Sequence, residues 1–146
     1  MIQITQSMLD PISVTESVRN DANGAVVTFV GTTRRTSEGK QVLYLEYEGY
    51  EAMATKKLEQ ICQDIKTQWP MLDLSIMHRL GRLEIEDISL VVAVASPHRK
   101  EAFDACSHVV DRIKEIVPIW KKEVFEDGEA WVGCQSHQIP TVTSTS

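Results

Sequence analysis

This chain is short of cysteine, short of positive charge, and has no long apolar run. Its three cysteines, Cys62, Cys106 and Cys134, are odd in number and widely spaced, with no C-x-x-C pair. That excludes a disulfide framework. Cys62 and Cys106 fall on apolar helix faces and are expected to be buried small hydrophobes. The four histidines, His78, His98, His108 and His137, have no metal-ligand spacing, so neither a metal site nor a cofactor is expected. Lysine and arginine total 15 against 21 acidic residues, a formal net charge of −6. This balance argues against nucleic-acid binding. No apolar run approaches the roughly 20 residues of a membrane span. Residues 1–5 lack the character of a secretory signal, so a cytoplasmic protein is expected. No G-x-G-x-x-G, no P-loop and no serine or cysteine nucleophile motif is present.

What is there fits one domain. The 146 residues are 42% apolar and 25% charged, ordinary values for a globular fold. A strand is expected at Ile2 to Thr5. A helix follows Asp10-Pro11, an N-cap with proline in the first turn. Ala25 to Val30 is an apolar, β-branched run and reads as a buried strand. Thr32 to Lys40, with Arg34, Arg35 and Gly39, reads as a mobile loop, and Val42 to Tyr47 as a strand. Glu51 to Trp69 carries apolar residues at helical spacing and stops at Pro70. Leu72 to Leu80 and Ile88 to Ala95 are expected strands, the second central because it is apolar throughout. A helix is expected from Lys100 to Val117, with Phe103, Cys106, Val110, Ile113 and Val117 on one stripe, then a last strand from Ile119 to Phe125. The expected class is α+β, helices on a mixed or antiparallel sheet. Residues 1–134 would form one domain and 135–146 a flexible polar tail.

The residues best suited to chemistry surround Pro118. Proline cannot continue a helix, so the helix carrying Lys114 stops there and an extended segment carrying Lys121 begins. Lys114 lies at the edge of the apolar stripe. Either it snorkels, or it is partly desolvated and loses its proton more readily. In a strand, Lys121 shares a face with Ile119, Glu123 and Phe125, and Lys122 shares the other with Trp120 and Val124. Neither face is cleanly polar, so at least one lysine points toward buried surroundings; the alternative is an edge strand guarded by lysines. Ser96-Pro97-His98-Arg99 opens a helix after the most apolar strand, a favourable place for an anion. Arg34 and Arg35 sit in a loop, where binding groups often lie. These residues describe a cationic, lysine-containing pocket for an anionic ligand.

In order along the chain, residues 29–34 (Phe-Val-Gly-Thr-Thr-Arg), 45–54, 78–81 (His-Arg-Leu-Gly), 96–99 (Ser-Pro-His-Arg) and 114–123 resemble the catalytic (large) subunit of molybdopterin synthase. The block Pro118-Ile119-Trp120-Lys121-Lys122-Glu123 is the most specific part. The resemblance implies an α/β hammerhead with a small extra antiparallel subdomain. It implies a sulfurtransferase of molybdenum cofactor biosynthesis acting on cyclic pyranopterin monophosphate, a pterin phosphate. The sulfur donor would be the thiocarboxylated C-terminus of a small ubiquitin-like subunit, and the assembly a heterotetramer around a homodimer of the large subunit. It further implies that Lys114 and Lys121 are catalytic, that Arg34, His98 and Arg99 bind anionic groups, and that Phe29 lines the site. Glu86 stands where many relatives have glycine, Val110 where some have methionine, and Gln135 where some have arginine. The competing functions are a non-enzymatic anion- or nucleotide-binding domain and a module that docks a partner's acidic tail.

Overall fold

The computed structural model describes residues 1–133; the expectations for Cys134 and for the tail from Gln135 lie outside them. Strand β1 (Ile2–Thr5) is followed by helix α1 (Pro11–Val18), where the Asp10 carboxylate accepts a hydrogen bond from the Ile12 N–H. Strands β2 (Ala25–Thr32), β6 (Asp73–Arg79) and β8 (Ile88–Ser96) join β1 in a mixed sheet of order β1-β6-β8-β2. Only β1 and β6 run parallel. Helices α2 (Glu51–Gln68) and α3 (Arg99–Ile116) cover one face and α1 the other.

Strand β8 shows why its sequence is apolar without alternation. Leu90, Val92 and Val94 join the core with α2 and α3, whereas Val91, Ala93 and Ala95 pack against α1. A strand buried on both faces has no polar side to show. Strand β2 corrects the expectation of a buried strand. It is the edge of the sheet, and Val26 and Val30 are each 37% exposed.

A second, antiparallel sheet of order β10-β9-β5-β7 is built from β5 (Tyr44–Gly49), β7 (Gly81–Leu83), β9 (Ile119–Phe125) and β10 (Gly128–Val132). Its small core is Val42, Leu45, Phe125 and Ala130. Strand β9 is therefore not the last, since β10 returns along it and carries Trp131. Residues 32–40 are not an open loop either. Strands β3 (Thr36–Ser37) and β4 (Lys40–Gln41) pair as a hairpin, turned by Glu38 at φ 47° and Gly39 at φ 79°. Two successive left-handed residues make the tight turn that suits the twist of a hairpin.

Helix α3 buries Ala102, Ala105, Cys106, Val109 and Ile113. Phe103, expected on that stripe, is 60% exposed, because the buried face is centred on the alanines. Cys106 is buried as expected, but Cys62 is only half-buried. Among the described residues, no helix is long and apolar enough to cross a membrane.

Candidate active site

Helix α3 ends where proline requires. The Val117 N–H still reaches the Ile113 carbonyl at 3.1 Å, and the Ile119 N–H turns back to the Val117 carbonyl at 2.8 Å. Pro118 is fully buried, and its carbonyl accepts a hydrogen bond from the Tyr50 N–H at 3.2 Å. Gly49 makes this packing possible: a Cβ there would lie 2.9 Å from Ile119 Cγ1 and 3.0 Å from the Pro118 oxygen. The junction fixes Lys114, exposed in the last turn of α3, relative to Lys121 in β9.

The two lysines of β9 part company. Lys122 lies on the outer face, 3.1 Å from Glu46 and 3.6 Å from Glu129, with its ammonium 5.6 Å from the centre of the Trp131 ring. The Glu46 hydrogen bond holds its pKa above the ordinary lysine value. Lys121 lies on the opposite face, which also carries the buried Glu123 and Phe125, and its side chain is 26% exposed against 19% for Lys122. Burial pushes its pKa down; Glu123 opposes this, and the positive charges of Arg34 and Lys114 add to the depression. The structure thus brings Lys114 and Arg34 within electrostatic reach of Lys121. An amine so placed gives up its proton more readily than a solvated lysine, and the two flanking cations attract an anion.

Behind Lys121 lies a polar seam that sequence reasoning did not assign to the site. Glu123 is only 3% exposed. One of its oxygens lies 4.0 Å from Lys121 Nζ, and the other accepts a 3.1 Å hydrogen bond from the Ser37 hydroxyl. Tyr47 pairs with Lys121 across the β5–β9 ladder. Burial raises its pKa, a hydrogen bond with Ser89 opposes the rise, and Glu123 adds to it. The Ser89 hydroxyl donates to the Gly31 carbonyl at 3.3 Å. His78 stands edge-on to Tyr47, ring centres 5.2 Å apart, and burial lowers its pKa to about 4. The one signal for Glu123 was its i, i+2 spacing from Lys121, which in a strand means the same face.

Phe29 is half-buried in β2 and packs against the main core. Its ring lies beside Gly31, where a Cβ would come within 3.2 Å. Arg34 follows at the foot of the hairpin and is exposed.

His98 and Arg99 are elsewhere. They open α3, exposed, beside a shallow depression also lined by Gly24, Pro97 and Lys100. Gly24 permits the close approach there: its N–H reaches the Ser96 carbonyl at 3.1 Å, and a Cβ would sit 2.7 Å from the Pro97 oxygen. Arg99 and Lys114 lie at opposite ends of α3, about 22 Å apart along its axis. Within one chain the expected anion-binding pair does not meet the lysines.

The sequence model of the MoaE protein family matches residues 4–116. The chain belongs to the MoaE family. It is 52% identical over 122 residues to a protein of Halalkalibacterium halodurans named molybdopterin synthase catalytic subunit, covering 84% of this chain and 78% of the relative. A Bacillus subtilis protein of the same name is 44% identical over 133 residues, covering 91% and 85%. The crystal structure of molybdopterin synthase from Staphylococcus aureus superposes with a TM-score of 0.86 at 48% identity, covering 89% of this chain and 95% of that one. The MoaE match ends with α3, so Lys114 falls inside it while Lys121 and Glu123 lie beyond.

Proposed function

We propose that this chain is the catalytic subunit of a molybdopterin synthase. It would transfer sulfur from the thiocarboxylated C-terminus of a small ubiquitin-like subunit to cyclic pyranopterin monophosphate. The observation that carries this is Lys121, a largely covered amine flanked by Lys114 and Arg34. Family membership and the name shared by the relatives support the reaction. Both reactants bring negative charge, one a phosphate and one a thiocarboxylate, and the cluster would neutralise both. Lys121 would exchange a proton at the acyl group, for which a compact amine with a depressed pKa is suited. Lys114 and Arg34 would hold the anionic groups in place, with Phe29 forming the apolar wall. Sulfur arriving on the partner leaves no catalytic task for Cys62 or Cys106.

His98 and Arg99 fit the same substrate site only if they come from a second copy. The distance along α3 supports a homodimer in which each site combines Lys114 and Lys121 of one chain with His98 and Arg99 of the other. Residues 1–134 would form the single catalytic domain, in a heterotetramer with one small subunit at each end. Free thiols at Cys62 and Cys106 suit a cytoplasmic setting. The test is incubation with cyclic pyranopterin monophosphate and thiocarboxylated small subunit, read as dithiolene formation. Binding of both reactants without turnover would return the chain to the anion-binding or tail-docking class.

A further inference from the structure

We propose that Glu123 is a positioning residue for sulfur transfer: one carboxylate oxygen holds Lys121, and the other holds the β3–β4 hairpin through Ser37, so that the seating of the hairpin governs the direction and charge of the lysine. This rests on the assignment of Lys121 to the site.

Buried carboxylates are rare unless something holds them, and Glu123, 3% exposed, is held from two sides. Ser37 Oγ is 3.1 Å from Oε1, and Lys121 Nζ is 4.0 Å from Oε2. Ser37 is itself buried, although it belongs to a hairpin of exposed residues. The rest of the hairpin is tied down around this contact. The Lys40 ammonium lies 3.3 Å from Asp127 and over the Phe125 ring. The Val42 N–H reaches the Arg35 carbonyl at 2.7 Å, and the Leu43 N–H reaches the Val124 carbonyl at 2.8 Å. The charged and titratable groups facing Lys121 are Glu123 on β9, Tyr47 across the ladder on β5, Arg34 at the foot of the hairpin and Lys114 on α3. Arg34 and Lys114 favour loss of the lysine proton, and Glu123 favours its retention. Ser37 fixes one carboxylate oxygen and thereby aims the other at Nζ. A hairpin that lifts would carry Arg34 away and release the carboxylate, changing two of the charges that Lys121 meets.

The test is a titration of Lys121 in the free dimer, by trace acetylation at a series of pH values with site-resolved mass spectrometry. Glu123→Gln keeps an oxygen for Ser37 and removes the charge. Its Lys121 titration should move to lower pH by about one unit, with Lys122 unmoved. Glu129→Gln should move Lys122 and leave Lys121 alone. Ser37→Ala should give a smaller shift of Lys121 in the same direction, together with faster proteolysis between Glu38 and Gly39. In single-turnover sulfur transfer, the limb of the pH–rate profile set by Lys121 should move with the labelling in both variants. An unmoved Lys121 titration in Glu123→Gln, with native amide-exchange protection, overturns the proposal. If Glu123→Gln does not fold, an unmoved titration in Ser37→Ala overturns it. A shifted Lys121 titration in the variants, with no sulfur transfer by the wild-type protein, would instead refute the assigned reaction and leave the Glu123–Lys121 pairing standing.

Discussion

Lys121 and Lys122 are adjacent in β9 and serve opposite sides of it. Lys122 is tied to Glu46 and Glu129 on one face, whereas Lys121 faces Glu123 on the other, and both side chains are largely covered. Adjacent residues of a strand must diverge in this way, and the divergence separates a lysine whose pKa is raised by its carboxylate partners from one whose pKa is lowered by burial. Arginine would keep the charge at position 121, but it is bulkier and cannot deprotonate at working pH. Lys121→Arg and Lys121→Ala should fold, bind the small subunit and lose most sulfur transfer. Lys114→Ala should also be strongly impaired, with a larger share of the loss in substrate binding. Lys122→Ala should retain activity, since its ammonium is engaged by Glu46 and Glu129 on the face of β9 opposite Lys121. Single-turnover rates with preformed thiocarboxylate check all four. A near-wild-type rate for Lys121→Arg would remove that residue from the mechanism.

The two ends of α3 make the shared site testable. A charge-assisted contact to phosphate is worth roughly 1.5–3 kcal/mol, so Arg99→Ala should weaken substrate binding by about tenfold to a hundredfold. If the site joins two copies, an Arg99→Ala chain paired with a Lys121→Ala chain yields a dimer with one doubly defective site and one intact site. Mixing the two impaired variants at low substrate concentration, with exchange of subunits, should therefore restore turnover. If all four side chains came from one chain, no mixture would recover activity, and isothermal titration would show no recovered high-affinity sites.

Some of this architecture was legible because local chemistry dictates it. Pro118 ended α3 and started β9, and the unbroken apolar run of β8 required a strand covered on both faces. The inward turn of one β9 lysine followed from period-two geometry. The hairpin escaped notice because its strands are two polar residues long and its turn places a glutamate, Glu38, at a left-handed position. The apolar run of β2 concealed an edge strand, since composition reports burial and not neighbours. His98 and Arg99 looked like companions of the lysines because a list of cationic residues does not show that the length of α3 separates them. Glu123 was read only as a face-mate of Lys121; its burial depends on Ser37, 86 residues away in sequence.

Glu86 gives a stability prediction of defined sign. It adopts φ 74°, and its N–H donates to the Thr33 carbonyl at 2.9 Å. A residue with a Cβ pays about 1–2 kcal/mol for the left-handed region, part of which glycine would forfeit through its looser unfolded state. Glu86→Gly should stabilise the fold by about 0.5–1 kcal/mol, measured as a higher urea midpoint at unchanged slope. A lower midpoint would show that the glutamate side chain contributes more than its backbone costs.

His78 sets the acid side of stability. Its ring is buried, its Nδ1–H donates to the Arg79 carbonyl at 2.9 Å, and its pKa falls from 6.5 to about 4. Burial is the cause, because a charged imidazolium in this seam would lose its water. Between those two values the unfolded chain binds a proton that the folded chain refuses, so unfolding is favoured as pH falls. The stability present above about pH 6.5 should decline progressively toward pH 4, by up to roughly 3 kcal/mol from this group. His78→Gln cannot titrate. It should be less stable than wild type at pH 7.5, having lost the edge contact with Tyr47, but should show a shallower loss between pH 6.5 and 4. Urea denaturation of both proteins across that range isolates the histidine from the carboxylates, which titrate alike in each. Parallel pH profiles for the two proteins would mean that His78 is solvated and protonates freely in the folded state, and that its edge-on contact with Tyr47 tolerates the charge.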